Sequence, residues 1–314
     1  MARPLRIQFP GAFYHITSRG DQRQPIFLST AVRKKFLEYL RLGHERLGFT
    51  IHTYCLMGNH YHLIMETPQG NLSQAMHFIN GSFAAYTNTL HRRVGHLLQG
   101  RYKSILIEAE TYIIELSRYI HLNPVRAKIV KNPEDYPWSS YREYMGFRRS
   151  PAWFRTNLIL GYFSETASLA RRRYSRFVLE RTRAAASNPL DDVCYSAILG
   201  SQEFIARIKD KYLDGKKQDR DLPQLRALRN RPSPELIRGE VEKAVGNQTR
   251  LQKKIGIYLC RQHAYMSLKR LAEIFGLGES GVSQVYRRMK AEISIDAQTA
   301  RLVGEIEKNI LSNV

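Results

Sequence analysis

Residues 50–57 and 60–67 are two runs of β-prone residues separated only by Gly58-Asn59. A gap of two residues accommodates a tight reversal and nothing longer, so the runs are expected to pair as an antiparallel hairpin. The rest of the N-terminal half is arranged around that hairpin. Residues 12–18 (AFYHITS) are aromatic and β-branched and predict a strand. Residues 31–47 carry Val32, Phe36, Leu37, Leu40 and Leu47 at helical spacing, with Gly48 placed as a C-cap. Asn71 opens a second helical stretch to about 91, with Met76, Ile79, Phe83 and Tyr86 as its core face. A strand at 102–108 follows, then a helix over 111–122 that Asn123-Pro124 should end.

The resulting order, β-α-β-β-α-β, is the ferredoxin-like split-βαβ arrangement. It predicts an α+β domain with an antiparallel sheet and helices on one face, followed by an all-α region. Such a fold hosts unrelated activities, so function has to be argued from the site. Residues 132–150 (NPEDYPWSSYREYMGFRRS) change composition and suggest a tail docked on this domain. Residues 152–215 look helical, with a cluster Arg171, Arg172, Arg173 extended by Arg176, Arg181 and Arg183. The charged, proline-containing stretch 216–234 is a linker candidate. The expected division is a domain over 1–150, a basic helical connector over 151–233 and a helical domain over 234–314. No internal repeat is evident.

Charge narrows the class of partner. The chain has 49 Lys and Arg against 28 Asp and Glu, a formal +21. A folded protein this basic is expected to meet a polyanion, nucleic acid first and an anionic membrane second. No apolar run reaches the ~20 residues of a membrane span, so the expectation is no membrane, and the N-terminal residues do not resemble a signal peptide. Three scattered cysteines, Cys55, Cys194 and Cys260, form neither a disulfide framework nor a zinc pattern, which points to a reducing cytoplasm. Hydrophobic residues at 43% and charged residues at 25% exclude disorder over most of the length.

Within the hairpin, His60-Tyr61-His62 places two imidazoles on one face of a strand and the tyrosine on the other. Two such rings can chelate one divalent ion; taken alone, an HxH is more often just a sheet surface. Tyr119 and Asn123, four residues apart, can share a helix face. Together the histidines and Asn123 would make an N,N,O site suited to Mg²⁺ or Mn²⁺. The competing reading of Tyr119, in a chain with 18 tyrosines, is a core aromatic.

GNHYHLI (58–64) and SRYIHLNPVRAKIV (117–130) resemble the single-tyrosine HUH transposases of bacterial insertion sequences, in particular their REP-associated branch. GAFYHITSRG (11–20) and GRYKSILIE (100–108) fit the same pattern, and the resemblance covers about residues 1–146. It implies a metal-dependent endonuclease and strand transferase acting on single-stranded DNA near hairpins or palindromic repeats. His60, His62 and Asn123 would hold the ion, with His121 the nearest competitor for the third position. Tyr119 would attack phosphorus, leaving a 5′-phosphotyrosine and a free 3′-OH, so that strands are rejoined without ATP. The resemblance leaves open whether the site is built within one chain or across a homodimer.

Arg19, Arg23, Arg92, Arg93, Arg101 and Lys103 lie near predicted strand ends and loops, where they would contact phosphates, as would Arg171, Arg172 and Arg173. Phe13, Tyr14 and Tyr61 are candidates for base stacking. In the C-terminal part, residues 251–260 predict an amphipathic helix, and a short helix follows with Ser267 as its cap. Gly276-Leu277-Gly278 then leads into a polar, basic helix over 279–293. The stretch 251–292 resembles the duplex-binding domain of the replication initiator DnaA, of the Trp-repressor-like class. That resemblance implies duplex binding by a helix-turn-helix, with Ser280, Ser283, Gln284 and Arg287 reading bases and Lys269, Arg270 and Arg288 on phosphates. The expectation is a cytoplasmic, nucleoid-associated DNA enzyme. The alternatives are a non-catalytic DNA-binding regulator and an RNA-binding protein.

Overall fold

The computed structural model describes residues 7–180, 189–193, 197–212, 232–264, 266 and 268–312. Ser267, Arg181, Arg183, Cys194 and nearly all of the expected linker lie outside them, as does the side chain of Lys269. The chain forms two compact units, one of Arg6–Pro189 with Ala197–Phe204, the other built mainly on Ile205–Val314.

The first unit holds a five-stranded sheet in the order β2-β3-β1-β4-β5. Its strands are β1 (Ala12–Arg19), β2 (Thr50–Leu56), β3 (His60–Thr67), β4 (Lys103–Ile107) and β5 (Ile198–Leu199). β1 is central and antiparallel to both neighbours, running from Ala12↔Thr67 to Arg19↔His60 on β3 and from Phe13↔Ile107 to Thr17↔Lys103 on β4. The Gly58-Asn59 turn closes the hairpin, with Met57 N donating to His60 O at 2.8 Å.

The long helices of the first unit are α1 (Thr30–Leu47), α2 (Leu72–Leu90), α3 (Ala109–His121) and α4 (Ala167–Glu180); α5 (Gln202–Tyr212) begins in it and belongs mostly to the second. Ser29 caps α1 by accepting from Val32 N at 3.3 Å. Gly48 ends it at φ 67°, a left-handed conformation that costs glycine little. Val32, Phe36 and Leu40 are buried along one stripe, while Leu37 and Leu47 are half-buried beside it.

α1 and α2 cover one face of the sheet, where Phe36 packs on Tyr61 with centroids 4.7 Å apart and on Phe83 at 5.0 Å. The other face is covered as well. α3 packs there against β2 and β3, which corrects the expectation of helices on one face only. The strand pattern explains this: every residue of β2 and most of β3 are buried, and strands hidden on both faces need a layer on each.

β5 also departs from expectation. It interrupts the helical reading of 152–215 and adds a short parallel edge to β4. Two residues carry no readable period, and the strand is held by main-chain bonds, Leu106 N to Ala197 O at 2.7 Å and Glu108 N to Leu199 O at 2.8 Å. Residues 138–155 close the opposite edge. Leu56 N donates to Trp138 O at 2.9 Å and Ile51 N to Trp153 O at 3.1 Å, so β2 does not offer an open ladder along its length. Glu143, buried in this segment, is held by Arg148 through Nε at 2.9 Å and Nη2 at 2.8 Å.

The second unit is helical, with α6 (Pro234–Val245), α7 (Thr249–Leu259), α8 (Leu268–Phe275), α9 (Glu279–Ile295) and α10 (Ala297–Ser312). Ile237, Ile257, Leu271, Val282, Met289 and Ile306 are among the residues of its core. Ser233 caps α6, accepting from Leu236 N at 3.1 Å, and Pro234 follows in the first turn. Gly276, at φ 58°, makes the turn between α8 and α9. Among the described residues no helix is long and apolar enough to cross a membrane.

Candidate active site

Strand alternation sets the site. Arg19 and Thr17 on β1 oppose His60 and His62 on β3, and Cys55 on β2 opposes His62 from the other side. His60 and His62 therefore share a face, with ring centroids 5.0 Å apart and planes at 79°. Tyr61 points the opposite way into the core, where its hydroxyl donates to Asn80 Oδ1 at 2.5 Å.

α3 crosses the histidine face and places Tyr119 edge-on to His62, with centroids 6.1 Å apart and planes at 83°. Tyr119 is half-buried, and the guanidinium of Arg126 stands 5.0 Å from its ring centroid. α3 ends at His121, as the Asn123-Pro124 pair predicts, and a short helical turn Asn123–Arg126 follows. Asn123 is half-buried and its amide Nδ2 is buried with no hydrogen-bond partner. His121 points away from the site. Its Nδ1 lies 2.7 Å from Tyr174 Oη on α4 and its Nε2 2.8 Å from Ser140 Oγ in the docked segment.

Sequence reasoning missed His15. It is on β1, buried, with Nε2 3.0 Å from Nδ1 of His62. The only available signal was strand alternation, since His15, Thr17 and Arg19 occupy the β1 face that pairs with His60 and His62. Burial holds all three imidazoles towards the neutral form. His15 is pushed down to about 3 by burial alone. His62 is pushed well below the usual range by burial and then by His15 and His60. His60, less buried, is lowered by burial and then by the Arg19 charge. Neutral imidazole is the form that binds metals.

Nδ1 of His60 faces Asn59 Oδ1 at 2.7 Å and Nδ1 of His62 faces His15, which leaves Nε2 of each as the available ligand atom. The Asn123 amide can be flipped, so its unpartnered position can present Oδ1. This donor set fits a divalent ion of the Mg²⁺ or Mn²⁺ type. Among the described residues no group of three or more His, Cys, Asp or Glu is placed to hold a metal.

The basic residues divide by position. Gly20 N donates to Asn59 O at 2.8 Å and Asp21 N to Leu97 O at 3.0 Å, lacing the end of β1 to the hairpin turn and to residues 97–99. Arg19, exposed, reaches Gln99 Oε1 at 2.9 Å beside His60. Arg93 reaches Gln24 Oε1 at 2.9 Å. Arg23, Arg92, Arg101 and Lys103 are exposed, and Lys103 pairs with Thr17 on β1, next to His62. Arg171, Arg172 and Arg173 are exposed on α4, whose opposite face buries Ala170, Tyr174 and Val178. On α9, Ser280, Gln284, Arg287 and Arg288 are exposed, whereas Ser283 is buried and takes a bond from Arg287 Nη2 at 3.1 Å. Tyr14 and Tyr61 are core residues with no face open to a base, and Phe13 is half-buried against His52.

The family model described as transposase, IS200 like, matches residues 9–123, a span that holds β1 to β4, the histidine pair and Tyr119 and stops at Asn123. No curated protein matches the chain. Among solved structures, a REP-associated tyrosine transposase bound to a REP hairpin is similar at 18% identity, with a TM-score of 0.42, over 49% of this chain and 92% of that one. A protein of Deinococcus radiodurans R1 described as a candidate transposase is similar at 17% identity, with a TM-score of 0.27, over 37% of this chain and 92% of that one.

Proposed function

We propose that this IS200-like transposase domain makes the chain a metal-dependent endonuclease and strand transferase of single-stranded DNA, of the REP-associated HUH type, acting at hairpin or palindromic sequences. The observation that carries the reading is the meeting of His62 and Tyr119, 6.1 Å apart by ring centroids, within one chain. On this reading a single chain would supply both halves of the site.

His60 and His62 would hold the ion through Nε2, with Asn123 Oδ1 as third ligand. Bound there, a divalent ion would withdraw charge from a phosphate oxygen of the DNA backbone. Tyr119 Oη gives up its proton to solvent and attacks phosphorus; the new O–P bond forms as the bond from phosphorus to the 3′ oxygen breaks, and that oxygen takes up a proton. The 5′ side remains on the tyrosine and the other strand end leaves as a 3′-OH, which can later attack in reverse. Arg126, over the Tyr119 ring, orients the phenol and offers a charge to the phosphate. Arg19, Arg23, Arg93 and Lys103 surround this end of the sheet and would hold the strand by its phosphates, while Arg92 and Arg101 extend the same surface.

The expected breaks at 150 and 233 differ from the two compact units, because α4 and β5 pack with the first. Duplex binding by α8 and α9 is part of the same proposal: Ser280, Gln284 and Arg287 would read bases and Arg288 would touch phosphate. Ser283, being buried, would position Arg287 rather than reach DNA. A chain of net charge +21 that works this way would sit on the nucleoid in the cytoplasm. The test is cleavage of a 5′-labelled single-stranded hairpin oligonucleotide with Mn²⁺ or Mg²⁺, against the same reaction in a chelator. Cleavage that needs the ion supports the reading. Binding without any cleavage in either ion favours a regulator.

A further inference from the structure

We propose that His15 is a positioning residue that selects Nε2 of His62 as the ligating nitrogen and fixes the direction of its lone pair. The inference rests on the reading that His60 and His62 hold a divalent ion, and it concerns a residue outside the paired motifs.

The two rings are parallel within 4°, with centroids 5.3 Å apart. Their facing nitrogens, Nε2 of His15 and Nδ1 of His62, are 3.0 Å apart. Rings that are coplanar and meet nitrogen to nitrogen share an N–H···N hydrogen bond; they are not stacked face to face. Both are buried, His15 with 1% and His62 with 8% of its surface exposed, so the bond is shielded from competing water. His15 is itself set by the sheet, opposite Ile64 on β3 and Ile105 on β4.

Two neutral imidazoles can share one such bond in two ways. In the first, His15 Nε2–H donates to His62 Nδ1, and the proton of His62 sits on Nε2, where it blocks a metal. In the second, His62 Nδ1–H donates to His15 Nε2, and Nε2 of His62 is a bare lone pair. Each arrangement carries two protons, one per ring, so passing between them needs no oxidant or extra group. The second places the His15 proton on Nδ1, an atom that is buried with no hydrogen-bond partner. An unpaired buried donor is costly, so the second arrangement is favoured only when an ion occupies His62. His15 thus acts as the partner that must switch tautomer for the site to load. His60 has a simpler arrangement, because Asn59 Oδ1 can only accept and always leaves Nε2 free.

The test uses the full chain without DNA and Mn²⁺ as the probe, with bound and free ion read by electron paramagnetic resonance. Wild type, His60→Ala and His62→Ala come first. A wild type whose Mn²⁺ binding does not depend on these histidines overturns the reading of the site and the inference with it. If that dependence holds, His15→Phe is expected to weaken binding about 10- to 100-fold, as loss of outer-shell partners does. His15→Gln, whose carbonyl can accept from Nδ1–H, should recover most of it. Equal affinity in all three His15 forms, with far-ultraviolet circular dichroism unchanged, overturns the role of His15 alone. A measurement on wild type covers the case in which His15→Phe fails to fold. Long-range ¹⁵N–¹H correlations should move the His62 proton from Nε2 to Nδ1 as Mg²⁺ is added, and a proton that stays on Nε2 in the loaded protein contradicts the proposal.

Discussion

Tyr119 and His121, two residues apart on α3, face opposite ways. Tyr119 meets His62 on the sheet, whereas His121 is sealed between Tyr174 on α4 and Ser140 in the docked segment. The buried side of α3 thereby fixes the rotation of the helix that presents the phenol. Residues 132–180 are then part of the site's support.

Replacing His121 by Leu removes two buried hydrogen bonds and is expected to cost about 2 kcal/mol, near 1 kcal/mol each. Tyr174 Oη keeps Ser117 Oγ at 3.0 Å and Ser140 Oγ keeps Tyr54 O at 3.2 Å, so neither hydroxyl is orphaned. The urea midpoint should fall, and DNA cleavage should slow at denaturant-free conditions because Tyr119 loses its registration.

Acid should weaken the fold through buried imidazoles. His121 and His15 are both pushed down to about 3 by burial. The unfolded chain takes up those protons near the ordinary value of about 6.5, so between the two values it binds more protons than the folded one. Stability is therefore full above about pH 6.5 and is lost as pH falls, by about 1.4 kcal/mol per pH unit for each histidine. Urea midpoints at pH 5.0 and pH 7.5 check this, and His121→Leu should flatten the dependence.

His60 and His62 should separate structure from chemistry. His60 is half-buried at the rim, and His60→Ala is expected to cost under about 1 kcal/mol of stability. His62→Ala leaves His15 Nε2 unpaired in the interior and should cost about 1–3 kcal/mol. Both should abolish Mn²⁺-dependent cleavage, and thermal melts beside the cleavage assay distinguish the two.

On α9, Arg288→Ala should weaken duplex binding across all sequences and reduce the slope of log affinity against log salt by about 0.9. Gln284→Ala should leave the slope unchanged and relax preference at one base position, a loss of about 1–3 kcal/mol in discrimination. Fluorescence anisotropy over a salt series reads both.

Much of the first unit was legible because its signals are local. The hairpin follows from the two-residue gap, α1 from its stripe and its glycine cap, and the shared face of His60 and His62 from strand alternation. Three features needed coordinates. β5 is two residues long and has no period of its own. The layering of α3 on the second face depends on which strands are buried on both sides. His15 sits in a strand far from the histidine pair in sequence, and only the β1–β3 register brings it within 3.0 Å of His62. Aromatic residues in strands serve cores and nucleic acids alike, so the sequence leaves Tyr14 and Tyr61 open to base stacking; burial decides for the core.

The most direct test of the central claim is the covalent adduct. The full chain, a single-stranded hairpin oligonucleotide and Mn²⁺ should give a protein–DNA species that survives denaturation, and peptide mass spectrometry should place the nucleotide on Tyr119. Tyr119→Phe should bind the oligonucleotide as well as wild type and form no adduct. An adduct on another residue, or an equally active Phe variant, would contradict the account.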